Sequence, residues 1–494
     1  MAVLSIDAGT TGITVLVVDE HAAVKGRGYR EFPQHFPQPG WVEHDPEDWW
    51  AATLESAGDA LSQAGLEASQ LAAVGITNQR ETTVIWDRET LKPVHNAIVW
   101  QDRRTTPLCE ALEQEGWKER IAQRTGLVID PYFSGTKVAW LLENVPGIRA
   151  DAEAGKLAFG TVDSYLVARL TGGRIHATDH TNASRTLLFD IHELDWDTEI
   201  MERLGVPATL LPDVRPSSGD FGMTDPEAFL GATLPVAGIA GDQQAALVGQ
   251  ACFSPGDAKN TYGTGSFVLL NTGTDAPAAN GLLTTIAYSD SEGVRYALEG
   301  SIFVTGAAIQ WLRDGLGIVE RSSEAGPLAE SVPDTGGVYF VPALVGLGAP
   351  WWDPYARGTI VGITRGTTRA HLVRAAVEAM AYQTRDVVDA MVEAGGTLTA
   401  LKADGGASAM DVMLQLQADL LGVPVQRPTV QETTALGAAF LAGLGAGVWS
   451  TKEEAASAWS LDLEFRPADR ARAEGMYEGW LRAVDRSRSW DQGA

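Results

Sequence analysis

The chain has 494 residues, 45% of them hydrophobic and 20% charged, with 64 acidic against 37 basic side chains and a formal net charge of −27. That length exceeds one ordinary core and predicts two large domains, 1–250 and 251–494. The negative excess argues against nucleic acid or an anionic membrane as partner, and it requires any phosphate site to be built locally from backbone donors and metal.

Strand-like runs at 3–6 and 13–18 flank Asp7-Ala8-Gly9-Thr10-Thr11-Gly12, a strand, tight turn and strand with an acid at the mouth of the turn. Glycine lets backbone N–H groups approach an anion, and threonine adds a hydroxyl donor. The N-terminus carries no basic stretch and Asp7 breaks its apolar run, so it does not read as a secretory signal, and a cytoplasmic location is expected. No run of the sequence is long enough for a membrane span. Asp45 can cap a helix that has Pro46 in its first turn and Glu47 and Asp48 at its positive end; the helix is expected to run to about Gln63 and stop at Gly65. Further strands are read at 74–77, 83–86, 97–100 and 234–241. Asn78 to Thr83 follows one of them directly. It is either a solvated turn or a set of partners for a polyol, with Arg80 as donor and Glu81 as acceptor. Trp100 is singled out because it ends a strand beside Gln101-Asp102-Arg103-Arg104; the other tryptophans read as core or interface residues. Asp242 follows Gly241 at a strand-to-helix junction. It can be the helix N-cap, a general base with Gln243 orienting the substrate, or both.

The second half repeats the plan. A hairpin from 258 to 271 turns at Tyr262-Gly263-Thr264-Gly265-Ser266. One Gly/Thr turn is weak evidence, because hairpins use glycine anyway. Two, one per half, could hold the two ends of a nucleotide triphosphate. Lys259 is read as a solvated strand lysine in preference to a phosphate contact. Residues 369–393 carry helical periodicity and end at Gly395-Gly396. Asp404-Gly405-Gly406-Ala407 is either an ordinary turn or a close approach to an adenine ring. Residues 436–444 form a small-residue helix suited to close packing, and the last dozen residues read as a frayed tail. The eight histidines show no ligand spacing, and the two cysteines, Cys109 and Cys252, read as buried apolar side chains in a reducing compartment.

Taken together, residues 39–45, 75–83, 125–137, 178–185, 238–250, 260–267, 346–354 and 358–378 resemble the FGGY carbohydrate-kinase family over nearly the whole chain. The resemblance implies an α/β fold of two actin-like (ribonuclease H-like) ATPase domains with a central interdomain cleft. It implies glycerol and phosphate binding in 1–250 and nucleotide binding in 251–494. The implied reaction is ATP-dependent phosphorylation of a terminal hydroxyl of glycerol. Carried over by position, Arg80, Glu81, Tyr132, Asp242 and Gln243 bind the glycerol hydroxyls, and Trp100 and Phe267 pack against its carbons. Asp242 is the base, and Asp7 and Asp242 hold Mg²⁺, Asp7 through water. Thr10, Thr11 and Gly12 form one phosphate turn, and Thr264 and Gly265 the other. Gly306, Gln310 and Gly406 line the nucleotide, with Met410 beside them. A homodimer or homotetramer is implied.

Two positions depart from the family pattern. Thr14 stands where the family usually has an arginine, and Met410 where it usually has an asparagine. Losing one charged hydrogen bond costs ~1.5–3 kcal/mol, which is about tenfold to a few hundredfold in rate or binding. Residues 226–233 also lack the Gly-rich loop and following arginine with which some members bind fructose 1,6-bisphosphate, so no control by that ligand is expected. The alternatives to glycerol phosphorylation are a relative acting on another small polyol or ketose, and a nucleotide-binding regulator that has lost turnover.

Overall fold

The computed structural model describes residues 1–278 and 281–491. Its centre is a pair of mixed sheets. The first contains β1 (Ala2–Ala8), β2 (Gly12–Asp19), β3 (Val24–Glu31), β4 (Ala73–Asn78) and β5 (Val236–Gly241), in spatial order β5-β4-β1-β2-β3. The second contains β6 (Asp257–Tyr262), β7 (Ser266–Gly273), β8 (Leu283–Asp290), β9 (Gly293–Ile302), β10 (Ala400–Asp404), β11 (Val425–Pro428) and β12 (Leu461–Phe465), in order β8-β9-β7-β6-β10-β11-β12. Both repeat one motif: a hairpin whose first strand also pairs in parallel with a later one, as β1 does with β4 and β6 with β10. That arrangement brings the two Gly/Thr turns, one from each hairpin, to equivalent places in the two sheets.

Helix α1 (Pro46–Ala64) starts and stops where local chemistry directs. The Asp45 side chain accepts from the Glu47 amide at 2.9 Å, and Gly65 closes the helix in the left-handed region at φ 67. Gly26 and Gly28 on β3 let the strand lie against the α1 backbone, where a Cβ would collide with the carbonyl oxygens of Ala60 and Ser56. The other helices that position the site are α2 (Asp242–Gly249), α3 (Gly306–Asp314), α4 (Arg369–Glu393), α5 (Asp411–Leu421), α6 (Thr433–Gly445) and α7 (Arg470–Ser487). α4 has the expected bounds and packs on the second sheet.

The small-residue helix α6 does something its sequence position conceals: it covers a face of the first sheet. Its backbone lies over Gly75 of β4 and Gly238 of β5, and it crosses α2 at Gly437 and Gly249. A Cβ on Gly437 would collide with the carbonyl oxygen of Ala245, and one on Gly249 with that of Thr433. Backbone cannot retreat as a flexible side chain can, so Gly437→Ala is expected to lose ~3 kcal/mol. That should lower the melting transition by roughly 3–6 °C in differential scanning calorimetry. Gly58→Ala on α1, where nothing lies within 4 Å, is the matched control and should stabilise slightly. Equal transitions for the two variants would show that α2 and α6 separate at little cost.

The chain end corrects the expectation of a frayed tail. α7 continues to Ser487 with Ala483, Val484 and Ser487 buried, and Ser489 and Asp491 are tied to Asp353 and Arg357. The anchor is Asp386, a buried carboxylate that accepts from Tyr477 Oη at 2.6 Å, Trp480 Nε1 at 2.9 Å and Trp351 Nε1 at 3.1 Å. Burial pushes its carboxyl up to about 6 against the pull of those three donors. Residues 492–494 lie outside the described residues. Cys109 and Cys252 are buried, and burial pushes both thiols up to about 12. Among the described residues no helix is long and apolar enough to cross a membrane.

Candidate active site

The residues after β4 are not a solvated turn. Arg80 is 2% and Glu81 1% exposed, and Glu81 sits at φ 61, a left-handed conformation that only surrounding structure can hold in a long side chain. The Ser134 and Thr83 hydroxyls donate to the Glu81 carbonyl at 3.0 and 3.1 Å, and Arg185 Nε donates to its carboxylate at 2.7 Å. Arg80 is gripped on every side. Nη1 donates to Glu299 Oε2 at 2.5 Å and to Gln244 Oε1 at 3.3 Å; Nη2 donates to Glu299 Oε1 at 3.1 Å and to Tyr132 Oη at 3.5 Å; Nε lies 3.1 Å from Asp242 Oδ1. Arg185 Nη2 donates to the same Glu299 Oε1 at 3.1 Å.

These groups fix one another's charge. Burial works against the charge of the Arg80 and Arg185 guanidiniums, but the carboxylates around them, Glu299 first, more than offset it. Burial would likewise push Glu299 up, yet Arg185 and Arg80 bring it down to about 2. Glu81 is pushed above the usual carboxylate range by burial, partly offset by Arg185 and Arg80.

Asp242 is the first residue of α2. The N-cap is Gly241, one residue earlier than the cap reading placed it. Its carboxylate accepts the Gln243 amide at 2.7 Å and is 30% exposed, so it is the open member of an otherwise closed cluster. Lys259 departs from its reading as a solvated strand lysine. It is fully buried on β6, donates to Gln243 Oε1 and, at 3.1 Å, to Thr261 Oγ1, and burial pulls its ammonium down to about 8 against the nearby Asp404 and Asp242 carboxylates. Helix α2 packs on β6, and Lys259 reaches Gln243 on that helix, so its ammonium ends inside the protein and not in water.

The aromatic members close the same pocket. Trp100 packs edge-on to Tyr132 with ring centroids 5.6 Å apart, and the Arg80 guanidinium lies 5.9 Å from the Phe267 ring. Trp100 Nε1 donates to Thr10 Oγ1 at 3.0 Å, which ties the pocket to the first Gly/Thr turn. Asp7 stands at the head of that turn. Burial and the Asp242 carboxylate push it up to about 7. Thr14 is its cross-strand partner, so the position where a cation was expected faces this acid. Thr11 is exposed at the tip.

The glycines of the two turns serve the chain as much as a ligand. A Cβ at Gly12 would meet the Arg30 carbonyl at 2.6 Å, and one at Gly265 would collide with that of Ile302. The carbonyls of Gly263 and Thr264 accept from Thr305, Gly306 and Ala307, so the second turn caps the N-terminus of α3. On that helix Gln310 is exposed. Gly406 has open space around it, and the Met410 side chain lies against Gly326. None of Gly306, Gln310, Gly406 and Met410 has a side-chain hydrogen bond or ion pair to the Arg80, Glu81, Arg185 and Glu299 cluster among the described residues. Arg185, Glu299, Gln244 and the buried state of Lys259 were missed in the sequence. Only the long match around 178–185 could have drawn attention to Arg185.

The described residues include no group of three or more His, Cys, Asp or Glu arranged to hold a metal. The two acids Asp7 and Asp242, mutually repelling, are what a Mg²⁺ ion takes from a protein when phosphate oxygens and water supply the rest.

Comparison with known proteins places these features in context. Residues 2–249 match the N-terminal domain, and residues 258–446 the C-terminal domain, of the FGGY family of carbohydrate kinases. A glycerol kinase of Symbiobacterium thermophilum is 59% identical over 491 residues, covering 99% of this chain and 98% of that protein. Glycerol kinase 2 of Thermotoga maritima is 57% identical over 493 residues, 99% of each. Among solved structures, Plasmodium falciparum glycerol kinase with ADP superposes with a TM-score of 0.92 at 36% identity over 98% of both chains.

Proposed function

The chain belongs to the FGGY family of carbohydrate kinases, with its two-domain actin-like fold, and from that premise we propose that it phosphorylates glycerol at a terminal hydroxyl using ATP, giving sn-glycerol 3-phosphate. The observation that carries this reading is the identity to glycerol kinases across 99% of the chain. The pocket chemistry supports it. A three-carbon triol needs partners for each hydroxyl and apolar surface for its carbons. Arg80, Glu81, Tyr132 and Gln243 offer the first, and Trp100 and Phe267 the second. Asp242, open to the cleft and held at a helix start, takes the proton of the attacking hydroxyl. Phosphoryl transfer passes through a loose transition state that needs positioning and charge neutralisation above all. Thr10, Thr11 and Gly12 on one side and Thr264 and Gly265 on the other position the phosphates. Gly306, Gln310, Gly406 and Met410 border the nucleoside. Asp7 and Asp242 would hold Mg²⁺, which when bound neutralises charge on the transferring phosphoryl group.

A coupled assay with MgATP and a panel of glycerol, xylulose, gluconate and other small polyols tests the reading. Glycerol should give much the highest kcat/KM, because buried donors and acceptors left without a hydroxyl discriminate by ~10⁴–10⁵. A ketose or acid turned over faster than glycerol would overturn it, and nucleotide binding without any turnover would mark a regulator instead.

A further inference from the structure

Arg80, Glu81 and Arg185 come from the first half of the chain; Glu299 comes from β9 of the second sheet. It is the deepest carboxylate of the cluster, fully buried, and touches both guanidiniums. We infer that Glu299 is the positioning residue of the glycerol pocket: by occupying both terminal nitrogens of Arg80 it turns that side chain so that Nε faces Asp242 and the substrate, while its second bond to Arg185 fixes the arginine that orients Glu81.

The donor count supports this. A guanidinium has five N–H groups. On Arg80 the four on Nη1 and Nη2 meet Glu299 twice, Gln244 and Tyr132, which leaves the Nε–H for a substrate hydroxyl, with Asp242 Oδ1 in ion-pair contact 3.1 Å from Nε. Without Glu299, the terminal nitrogens would be free to fork onto Asp242 or Glu81, the carboxylates within 3.1 and 3.9 Å of Nε. A bidentate pair of that kind is the geometry arginine prefers, and it would consume the acceptors that the substrate hydroxyls need. Arg185 is bound to the same logic. Nε serves Glu81 and Nη2 serves Glu299, and Nη1 has no partner among the described residues. Its orientation therefore depends on two carboxylates, one from each half of the chain.

This inference rests on the glycerol reading, and the test separates the two. Glu299→Gln keeps the shape and removes the charge. The KM for glycerol should rise ~10- to 200-fold, the range of one charged hydrogen bond. The KM for MgATP should stay within about twofold, because the nucleotide-side residues lie outside the cluster. Glu299→Asp keeps the charge one methylene short and should recover part of the glycerol affinity; it also decides the matter if the glutamine variant does not fold. An unchanged glycerol KM in a folded variant would overturn the inference. So would an equal rise in both KM values, which would mean that Glu299 only holds the halves together. A wild-type protein inactive on glycerol would sink the proposed function, and the comparison would then be made on the panel substrate that is turned over.

Discussion

Asp242→Asn is expected to leave the protein folded and able to bind glycerol while lowering kcat by ~10²–10⁴-fold, the usual contribution of a positioned general base. Asparagine is nearly isosteric. It can still accept the Gln243 amide that the carboxylate accepts at 2.7 Å, so the start of α2 should survive. What is lost is the ability to take a proton from the attacking hydroxyl. The partial exposure of Asp242 makes the stability penalty small, since its pairing with Arg80 at 3.1 Å is open to solvent on one side. Steady-state kinetics together with calorimetric titration of glycerol separate the two effects. Turnover equal to wild type would remove Asp242 from the mechanism.

Arg80→Met should be the most damaging single change in the pocket. It removes the partner of Glu299, Gln244, Tyr132 and Asp242 at once. Breaking a buried pair from one side leaves an uncompensated charge, with an expected loss of ~3–5 kcal/mol. Glycerol binding should also weaken by ~10- to 200-fold. The double variant Arg80→Met with Glu299→Gln distinguishes these losses. Neutralising Glu299 should return part of the stability, because Glu81 is then the one carboxylate left to pair with Arg185, yet glycerol affinity should not return. In that background the glutamine substitution should raise the glycerol KM by less than it does alone, because its effect through Arg80 is already lost and only its effect through Arg185 and Glu81 is left. Thermal unfolding and glycerol titration of the four proteins check this; a double variant as unstable as Arg80→Met would show that Glu299 was not the stranded group.

Much of the fold was legible in local chemistry. Asp45, Pro46 and Gly65 bound α1, and periodicity with Gly395 and Gly396 bounds α4. The pocket was legible only through its similarity to a family, because its decisive contacts join residues far apart in sequence: 104 positions separate Arg185 from Glu81, and 219 separate Arg80 from Glu299. No short window carries a signal for such a pairing. Lys259 was misread for a related reason. A strand lysine reads as solvated unless the layers on both sides of its sheet are known. The turn glycines were read as admitting phosphate, whereas Gly12 and Gly265 also admit neighbouring backbone, a requirement that arises only once the strands are assembled.

The placement of α6 governs how this enzyme comes off the ribosome. Residues 433–445 seal the layer over Gly75 and Gly238. A nascent chain that has emerged only to residue 250 therefore carries the five strands of the first sheet without the helix that covers this face. Vectorial synthesis would hold that surface open until almost the whole polypeptide is made, which is the interval in which a holdase chaperone has something to bind. It follows that excising the amino-terminal portion as a free-standing unit should yield an aggregating fragment, not a miniature sugar-binding protein.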